Sequence, residues 1–494
     1  MQINLLLNFL FFHQLVLLHL FLFLWWQLKN KFISQVQNLI NSNLKKCICL
    51  KSYMLLTSNS FLFLFLPFSL LINLFSVSKT TKTFYLGVLS AYFYYLDNGY
   101  LLIILLFLAG LLKLQIDKNV FNNPLFVALL LTPLIIFKYS FVVFNFISIE
   151  TPSYIVENFP IGLSFFTFQS IAYYFDKRRV ENSENGFEIF TFLTFFPQLL
   201  AGPIVDITTF RNGLNSKVVN IESLQTGLYR ISLGLIKKFL IADTLAQITS
   251  IYINSNHDFT FSFASSAILV LSYTFQIYFD FSAYCDIAIG IGLLFGFNLP
   301  ENFNRPYLSK SFREFWRRWH MTLSNFFKVY VYIPLGGNRV SKYKNFRNLW
   351  ITFFLTALWH GATVNFLLWG FLHGLFLTTE KLLNYKKLFS NRILTFILIS
   401  ITWVPFFSKS SQDTIDIISS IFTYDLVNDD FLPIAVQYFN LKFLIVASIC
   451  IASLLNIKVS KKIFENRFLT ISMFIFSLVL VIASSVDPFI YFRF

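Results

Sequence analysis

The stretch LWITFFLTALWHGATVNFLLWGFLHGLFL, residues 349–377, contains no Asp, Glu, Lys or Arg, yet it holds His360 and His373. It exceeds the ~20 apolar residues that a helix needs to cross a bilayer. An ionisable side chain at that depth costs roughly 3 kcal/mol on insertion scales and usually marks a site or a pathway. Small residues, Gly361 and Ala362, follow His360, so a second group can come close to its imidazole. His373 follows thirteen residues later, about 140° away around a continuous helix. The two rings cannot face one pocket unless the helix is broken. Paired with Trp369 one turn before it, His373 reads as structural.

The rest of the chain has the same character. Of 494 residues, 56% are hydrophobic and 13% charged, about half the charge of a soluble protein. Mean hydropathy is +0.64. Apolar segments recur at 4–26, 59–77, 83–112, 124–147, 160–175, 190–205, 224–252, 263–280, 283–297, 349–377, 393–408, 441–456 and 467–485. The spacing predicts an all-α, polytopic integral membrane protein with roughly 10–13 transmembrane or re-entrant helices. Segment 190–205, interrupted by Pro197, Gly202 and Pro203, reads as re-entrant. The 66 phenylalanines are better explained by AT-rich codon usage than by a special aromatic function.

Residues 1–53 read as an extension, one apolar helix followed by a polar stretch rich in Lys. Met54 opens the next apolar run as a start would, and we expect the core to be residues 54–494. The net charge of +15 need not imply nucleic acid, because Lys and Arg gather in the cytoplasmic loops of membrane proteins. Cys47, Cys49, Cys285 and Cys450 form no disulfide or metal-finger pattern. The most basic stretch, 305–347, has ten Lys and Arg against one acid, Glu314, and is expected to be cytoplasmic.

Read as one helix, 312–324 places Phe312, Phe315, Trp316, Trp319 and Leu323 on one stripe. Arg313, Arg317, His320 and Ser324 share its flank, within about 60°. This describes an interfacial amphipathic helix, on which cationic neighbours would disfavour the protonated form of His320. A membrane-surface anchor with an incidental histidine explains that helix equally well. Asn302, Asn304 and Pro306 make a turn before it, and Pro334, Gly336 and Gly337 a break after it. His13, His19 and His257 read as incidental. Three other chemistries lack their residues: no Gly-x-Ser-x-Gly elbow, no paired His and carboxylate spacing for zinc, and no nucleotide-binding glycine loop is present. A lone histidine acting as general base or acid within a membrane remains. Gln276, Asp280 and Asp286 are polar groups in an apolar region; each needs a partner and is expected to be structural or to steady a histidine.

Several motifs, in order, carry a resemblance: FPIGLSFFTFQ at 159–169, FPQLLAGPI at 196–204, QIYFDFSAYCDIAIG at 276–290, NRPY at 304–307, FWRRWH at 315–320, YIPLGG at 332–337, WHGA at 359–362 and FIYFRF at 489–494. Over 54–494 the chain resembles the membrane-bound O-acyltransferases, within them the branch that O-acetylates alginate and other polysaccharides. The resemblance implies helices around a central funnel or tunnel, with His360 catalytic at its narrow point. His320 would be the second catalytic-site histidine, positioning an acyl or acceptor group. It implies no bound cofactor, with acetyl-CoA or another acyl thioester as donor, and contacts to donor or substrate from Arg305, Arg313, Arg317, Trp359 and Asn365. Asn365, His320 and backbone N–H groups are unranked candidates for oxyanion donors. The implied setting is a bacterial inner membrane, with membrane lipids, a polysaccharide acceptor and an exported SGNH-type acetyltransferase as partners, the acyl group passing either directly or by relay. D-alanyl transfer and peptidoglycan O-acylation stay open as alternatives. So does a transporter without chemistry, although the internal repeat expected of one is not visible. Val364 departs from the Trp that many relatives carry two residues after the WHGA motif, and is expected to alter the tunnel lining.

Overall fold

A computed structural model describes residues 54–75, 78–149, 152, 159–177, 185–216, 220–256, 258–383, 391–422, 429–455, 466–484 and 489–490. The expected extension 1–53 with its two histidines and two cysteines, His257, and the last four residues of the FIYFRF motif lie outside the described residues. Every regular element among the described residues is helical.

The helices used below are α1 (Lys79–Asn98), α2 (Leu102–Lys118), α3 (Asn123–Leu134), α4 (Leu163–Lys177), α5 (Gly186–Thr194), α6 (Ile221–Ile236), α7 (Asp243–Ile253), α8 (Phe263–Leu294), α9 (Phe312–Trp316), α10 (Met321–Phe327), α11 (Lys342–His360), α12 (Val364–Leu382) and α13 (Arg392–Thr402). Among the described residues, three helical stretches are long and apolar enough to cross a membrane: Lys79–Lys118, Asn123–Val142 and Phe263–Leu294. Shorter apolar helices occupy Phe61–Leu74, Arg392–Phe407, Leu441–Ser453 and Arg467–Ala483. Many of the expected apolar segments are thus present as short or broken helices rather than full spans.

α8 stands at the centre, largely enclosed by protein. The sequence suggested two segments here, 263–280 and 283–297; the structure has one helix of 32 residues, about 48 Å long at 1.5 Å per residue. No Pro or Gly lies between residues 263 and 289, and the intervening carboxylates are satisfied from outside the helix. Lys238 Nζ reaches Asp280 and Asp243, both at 2.9 Å. Asp286 is held by Arg230 at 2.7 Å and Lys237 at 2.6 Å. Asp280 also accepts the Ile490 N–H at 2.6 Å, which anchors the start of the C-terminal motif. Gln276 accepts from Thr249 at 2.6 Å. These three polar residues of α8 therefore pair with α6, α7 and the turn joining them.

α6 runs antiparallel to α8 at close range. A Cβ on Gly227 would stand 2.9 Å from the Gly290 carbonyl, and one on Gly290 2.7 Å from the Gly227 carbonyl. Small residues at a crossing let backbones approach where lipid supplies no hydrophobic drive between helices. The expected re-entrant segment appears as α5 and a short helix Phe196–Leu199, broken at Phe195. Residues 188–203 are all buried, so protein rather than lipid surrounds the interrupted backbone, as an irregular segment requires.

The decisive departure concerns the run 349–377. It is two helices, α11 and α12, packed on each other as a hairpin. Gly361 follows the last residue of α11, and the Thr363 side chain caps the start of α12 by accepting the Phe366 N–H.

Candidate active site

The break in that hairpin makes the site. His360 is the last residue of α11 and is buried. Its ring is boxed by Trp359, Trp369, Phe406 and Phe366, with centroids at 4.7, 4.9, 4.8 and 5.9 Å. Gly361 does not leave the opening that its size suggested. The Phe366 ring fills that side, and a Cβ on Gly361 would lie 2.6 Å from it. Val364 is 66% exposed, and its ring-free side chain is no part of this aromatic box.

Because the helix breaks, His373 returns to the same cluster. Trp369 lies 4.7 Å from His373, as its spacing suggested, and touches His360 on its other side. The His373 Nδ1 accepts from Trp316 Nε1 at 3.3 Å. That hydrogen bond ties α9 to α12. Glu380 reinforces it by accepting the N–H groups of Phe312 and Arg313 at 2.9 and 3.1 Å, the first turn of α9.

His320 corrects the sequence reading. The expected helix 312–324 is interrupted: α9 ends at Trp316, α10 starts at Met321, and His320 between them has φ 41° and ψ 56°. Non-glycine residues rarely take this left-handed conformation. The arginine flank therefore does not form, and His320 is buried rather than interfacial. Its Nδ1 meets Asn302 Oδ1 at 3.1 Å. Rings of Phe281, Trp359 and Phe165 surround it at 4.7, 6.2 and 6.4 Å. Trp359 thus lies against both histidines, and Phe165 and Phe168 pack on its other sides at 5.9 and 5.7 Å.

Sequence reasoning missed two residues that finish α11. Lys138 Nζ donates to the Trp359 carbonyl at 2.5 Å, and the Tyr139 hydroxyl donates to the Leu358 carbonyl. Both come from a π-helical turn, Ile135–Tyr139, after α3. The last carbonyls of a helix lack internal partners, and here a cation and a phenol supply them. The signal was present: Lys138 is the one Lys or Arg in the apolar segment 124–147, the same anomaly that drew attention to His360.

The remaining candidates divide. Arg313 and Arg317 line a cavity of about 980 Å³ together with Lys328, Arg339 and Lys381, and no acid is among its lining residues. The loop of the YIPLGG motif forms one wall, held by Asn345 and Asn348 of α11, which donate to the Gly337 and Leu335 carbonyls at 2.9 Å each. Arg305 is exposed and is not among the lining residues. Asn365 donates to the Ser408 carbonyl at 2.9 Å, so part of its donor capacity is already used. A second cavity, about 450 Å³, lies beside Lys238 and Asp280. Neither cavity is lined by His320 or His360, so the expected funnel narrowing at His360 is neither of these two. Among the described residues no group of three or more His, Cys, Asp or Glu could hold a metal ion.

His360, His373 and His320 are thus buried imidazoles set among aromatic rings in a chain with membrane-spanning apolar helices. The chain belongs to the membrane-bound O-acyltransferase family, whose model matches residues 2–389. It is 41% identical over 261 residues to the probable alginate O-acetylase AlgI of Pseudomonas syringae pv. tomato, an alignment covering 51% of this chain and 49% of that protein. It is 38% identical over 303 residues to the peptidoglycan O-acetyltransferase of Helicobacter pylori, covering 52% of this chain and 56% of the relative. The teichoic acid D-alanyltransferase of Bacillus subtilis is 28% identical over 262 residues, 49% of this chain and 65% of that protein. The chain spans about half the length of the curated relatives it matches first. Family and apolar helices together give it a membrane location.

Proposed function

We propose that this chain is a membrane O-acyltransferase that moves an acyl group, in our reading acetyl, from a cytoplasmic thioester to a hydroxyl, for O-acetylation of an exported polysaccharide. The observation that carries the proposal is that His360 and His320 both lie against Trp359, with ring centroids 4.7 and 6.2 Å away, within a chain of this family. In the step we propose, the acceptor oxygen attacks the thioester carbonyl carbon, the new C–O bond forms and the C–S bond breaks. His360 takes the hydroxyl proton and returns it to the departing thiolate. A positioned histidine contributes roughly 10²–10⁴-fold in such steps.

The cationic cavity supports a donor that carries phosphates, such as acetyl-CoA, since clustered positive charge raises the local concentration of an anionic substrate. Arg313 and Arg317 are the residues we assign to it; Arg305 has no place in its lining. This assignment puts the basic stretch 305–347 on the cytoplasmic side of a bacterial inner membrane. The acceptor is either the polymer itself or an exported SGNH-type acetyltransferase that completes the transfer. The relative named as an alginate O-acetylase supports a polysaccharide acceptor. Those named for peptidoglycan and teichoic acid keep a cell-wall acceptor as the second reading.

The test is transfer from radiolabelled acetyl-CoA by the purified full chain in liposomes, with alginate, peptidoglycan fragments or a purified exported partner as acceptor. Label on one acceptor, lost with His360→Ala at unchanged expression, supports the proposal. Full activity in that variant would remove His360 from the mechanism.

A further inference from the structure

Asn302 is fully buried, and its side-chain oxygen accepts from three directions: the Thr322 N–H, the Thr322 hydroxyl and His320 Nδ1, each at 3.1 Å. Two of these contacts identify the atom. A backbone N–H can only donate, so the Asn302 atom facing Thr322 is oxygen and not the amide nitrogen. The Thr322 hydroxyl itself accepts the Ile204 N–H at 3.2 Å, which directs its own proton to Asn302. The amide nitrogen is used elsewhere, on Cys285 Sγ at 3.3 Å. The orientation of the amide is therefore set by its surroundings, which is the information an amide assignment needs. An imidazole nitrogen placed against that oxygen must carry a proton.

We propose that Asn302 is a positioning residue that fixes His320 as its Nδ1–H tautomer, leaving the lone pair of the neutral ring on Nε2. The partner of one ring nitrogen sets the chemistry of the other. His320 Nε2 is then an acceptor of a proton or a hydrogen bond. It serves a hydroxyl-bearing acceptor and cannot donate to the oxyanion of a thioester carbonyl. That removes His320 from the oxyanion candidates and leaves backbone N–H groups and Asn365. The tautomer follows from the hydrogen bonds alone; its use in the reaction rests on the acyl-transfer reading.

The kink that presents His320 has support independent of this side chain. Met321 N–H donates to the Asn302 carbonyl at 2.9 Å, and Asn304 N–H to the Arg318 carbonyl at 2.9 Å. Replacing the side chain thus leaves the main-chain clamp in place. Asn302→Asp keeps an oxygen where three donors converge, whereas Asn302→Leu removes it at similar volume.

The experiment uses the full chain in lipid nanodiscs with ¹⁵N-labelled histidine, the His320 signals being assigned by their loss in His320→Gln. We expect the proton on Nδ1 in the wild type and in Asn302→Asp, and transfer of the proton to Nε2, or a mixture, in Asn302→Leu. In acetyl transfer, Asn302→Leu should lose roughly 10- to 100-fold in kcat with KM changed by less than about twofold, and Asn302→Asp should recover most of it. A wild-type spectrum with the proton on Nε2 overturns the proposal, as does a wild-type tautomer and kcat retained in Asn302→Leu. Should Asn302→Leu not fold, the wild-type and Asn302→Asp spectra still decide. Should the chain transfer no acyl group, the function above fails while the spectrum still tests the tautomer.

Discussion

Lys138 Nζ lies 2.5 Å from the main-chain carbonyl of Trp359, the residue before His360. The same ammonium stands 5.9 Å from the centroid of the Trp359 ring, within the range of a cation–π contact. A cation at the C-terminus of a helix also complements its dipole. One side chain thus contacts both the end of α11 and the indole that packs against the two histidines.

Substituting Lys138→Met keeps the aliphatic stem and removes the charge. A hydrogen bond from a charged donor contributes about 1.5–3 kcal/mol, so thermal unfolding in detergent should shift down by a corresponding amount. Acyl transfer should fall further than stability does, because the carbonyl released belongs to the turn that orients His360. Tyr139→Phe removes a neutral donor from the Leu358 carbonyl, and should cost about 1 kcal/mol with a milder loss of activity.

His360→Ala should reduce transfer by at least ~10², the lower bound for a positioned proton acceptor. Expression and detergent-solubilised size should be unchanged. Size-exclusion profiles beside a labelled-acetyl assay separate this outcome from misfolding.

The Lys238–Asp280 pair gives a stability prediction independent of chemistry. Both side chains are buried, and removing one partner of a buried pair costs about 3–5 kcal/mol by stranding the other charge. Lys238→Met should therefore reduce the yield of folded protein sharply. The double change Lys238→Met with Asp280→Leu should recover much of it. A double-mutant cycle measured by thermal unfolding in detergent checks the coupling. Additive losses would show that the two residues do not stabilise each other.

For the cationic cavity, Arg313→Gln with Arg317→Gln should raise the KM for a phosphate-bearing thioester while leaving kcat nearly unchanged, the pattern of lost uniform binding. The wild-type KM should rise with ionic strength, because exposed charges are screened beyond about 8–10 Å at physiological salt. The variant should respond less to salt. A KM insensitive to both changes places the donor elsewhere.

Much of this protein can be read without coordinates. Composition and the recurrence of apolar segments require helices, because a backbone in lipid must satisfy its own hydrogen bonds. The WHGA and FWRRWH motifs single out His360 and His320. Gly361 and Thr363 also signal a helix stop and a helix start. In an uncharged run that signal is masked, since hydrophobicity on both sides of it argues for one continuous span.

What local sequence could not determine was how these pieces meet. The break after His360 holds because Lys138 and Tyr139, some 220 residues away in sequence, satisfy the carbonyls that the break leaves open. The turn at His320 holds because the Arg318 carbonyl before it accepts the Asn304 N–H and the Met321 N–H after it donates to the Asn302 carbonyl, where helical periodicity alone favoured an unbroken amphipathic helix. Asp280 and Asp286 each needed a partner that the sequence did not name; Lys238, and Arg230 with Lys237, supply them. Helix formation and membrane burial follow from contacts a few residues apart and from the hydrophobicity of each segment. Helix ends, imidazole tautomers and buried charges are decided by partners distant in the chain, so only the tertiary structure assigns them.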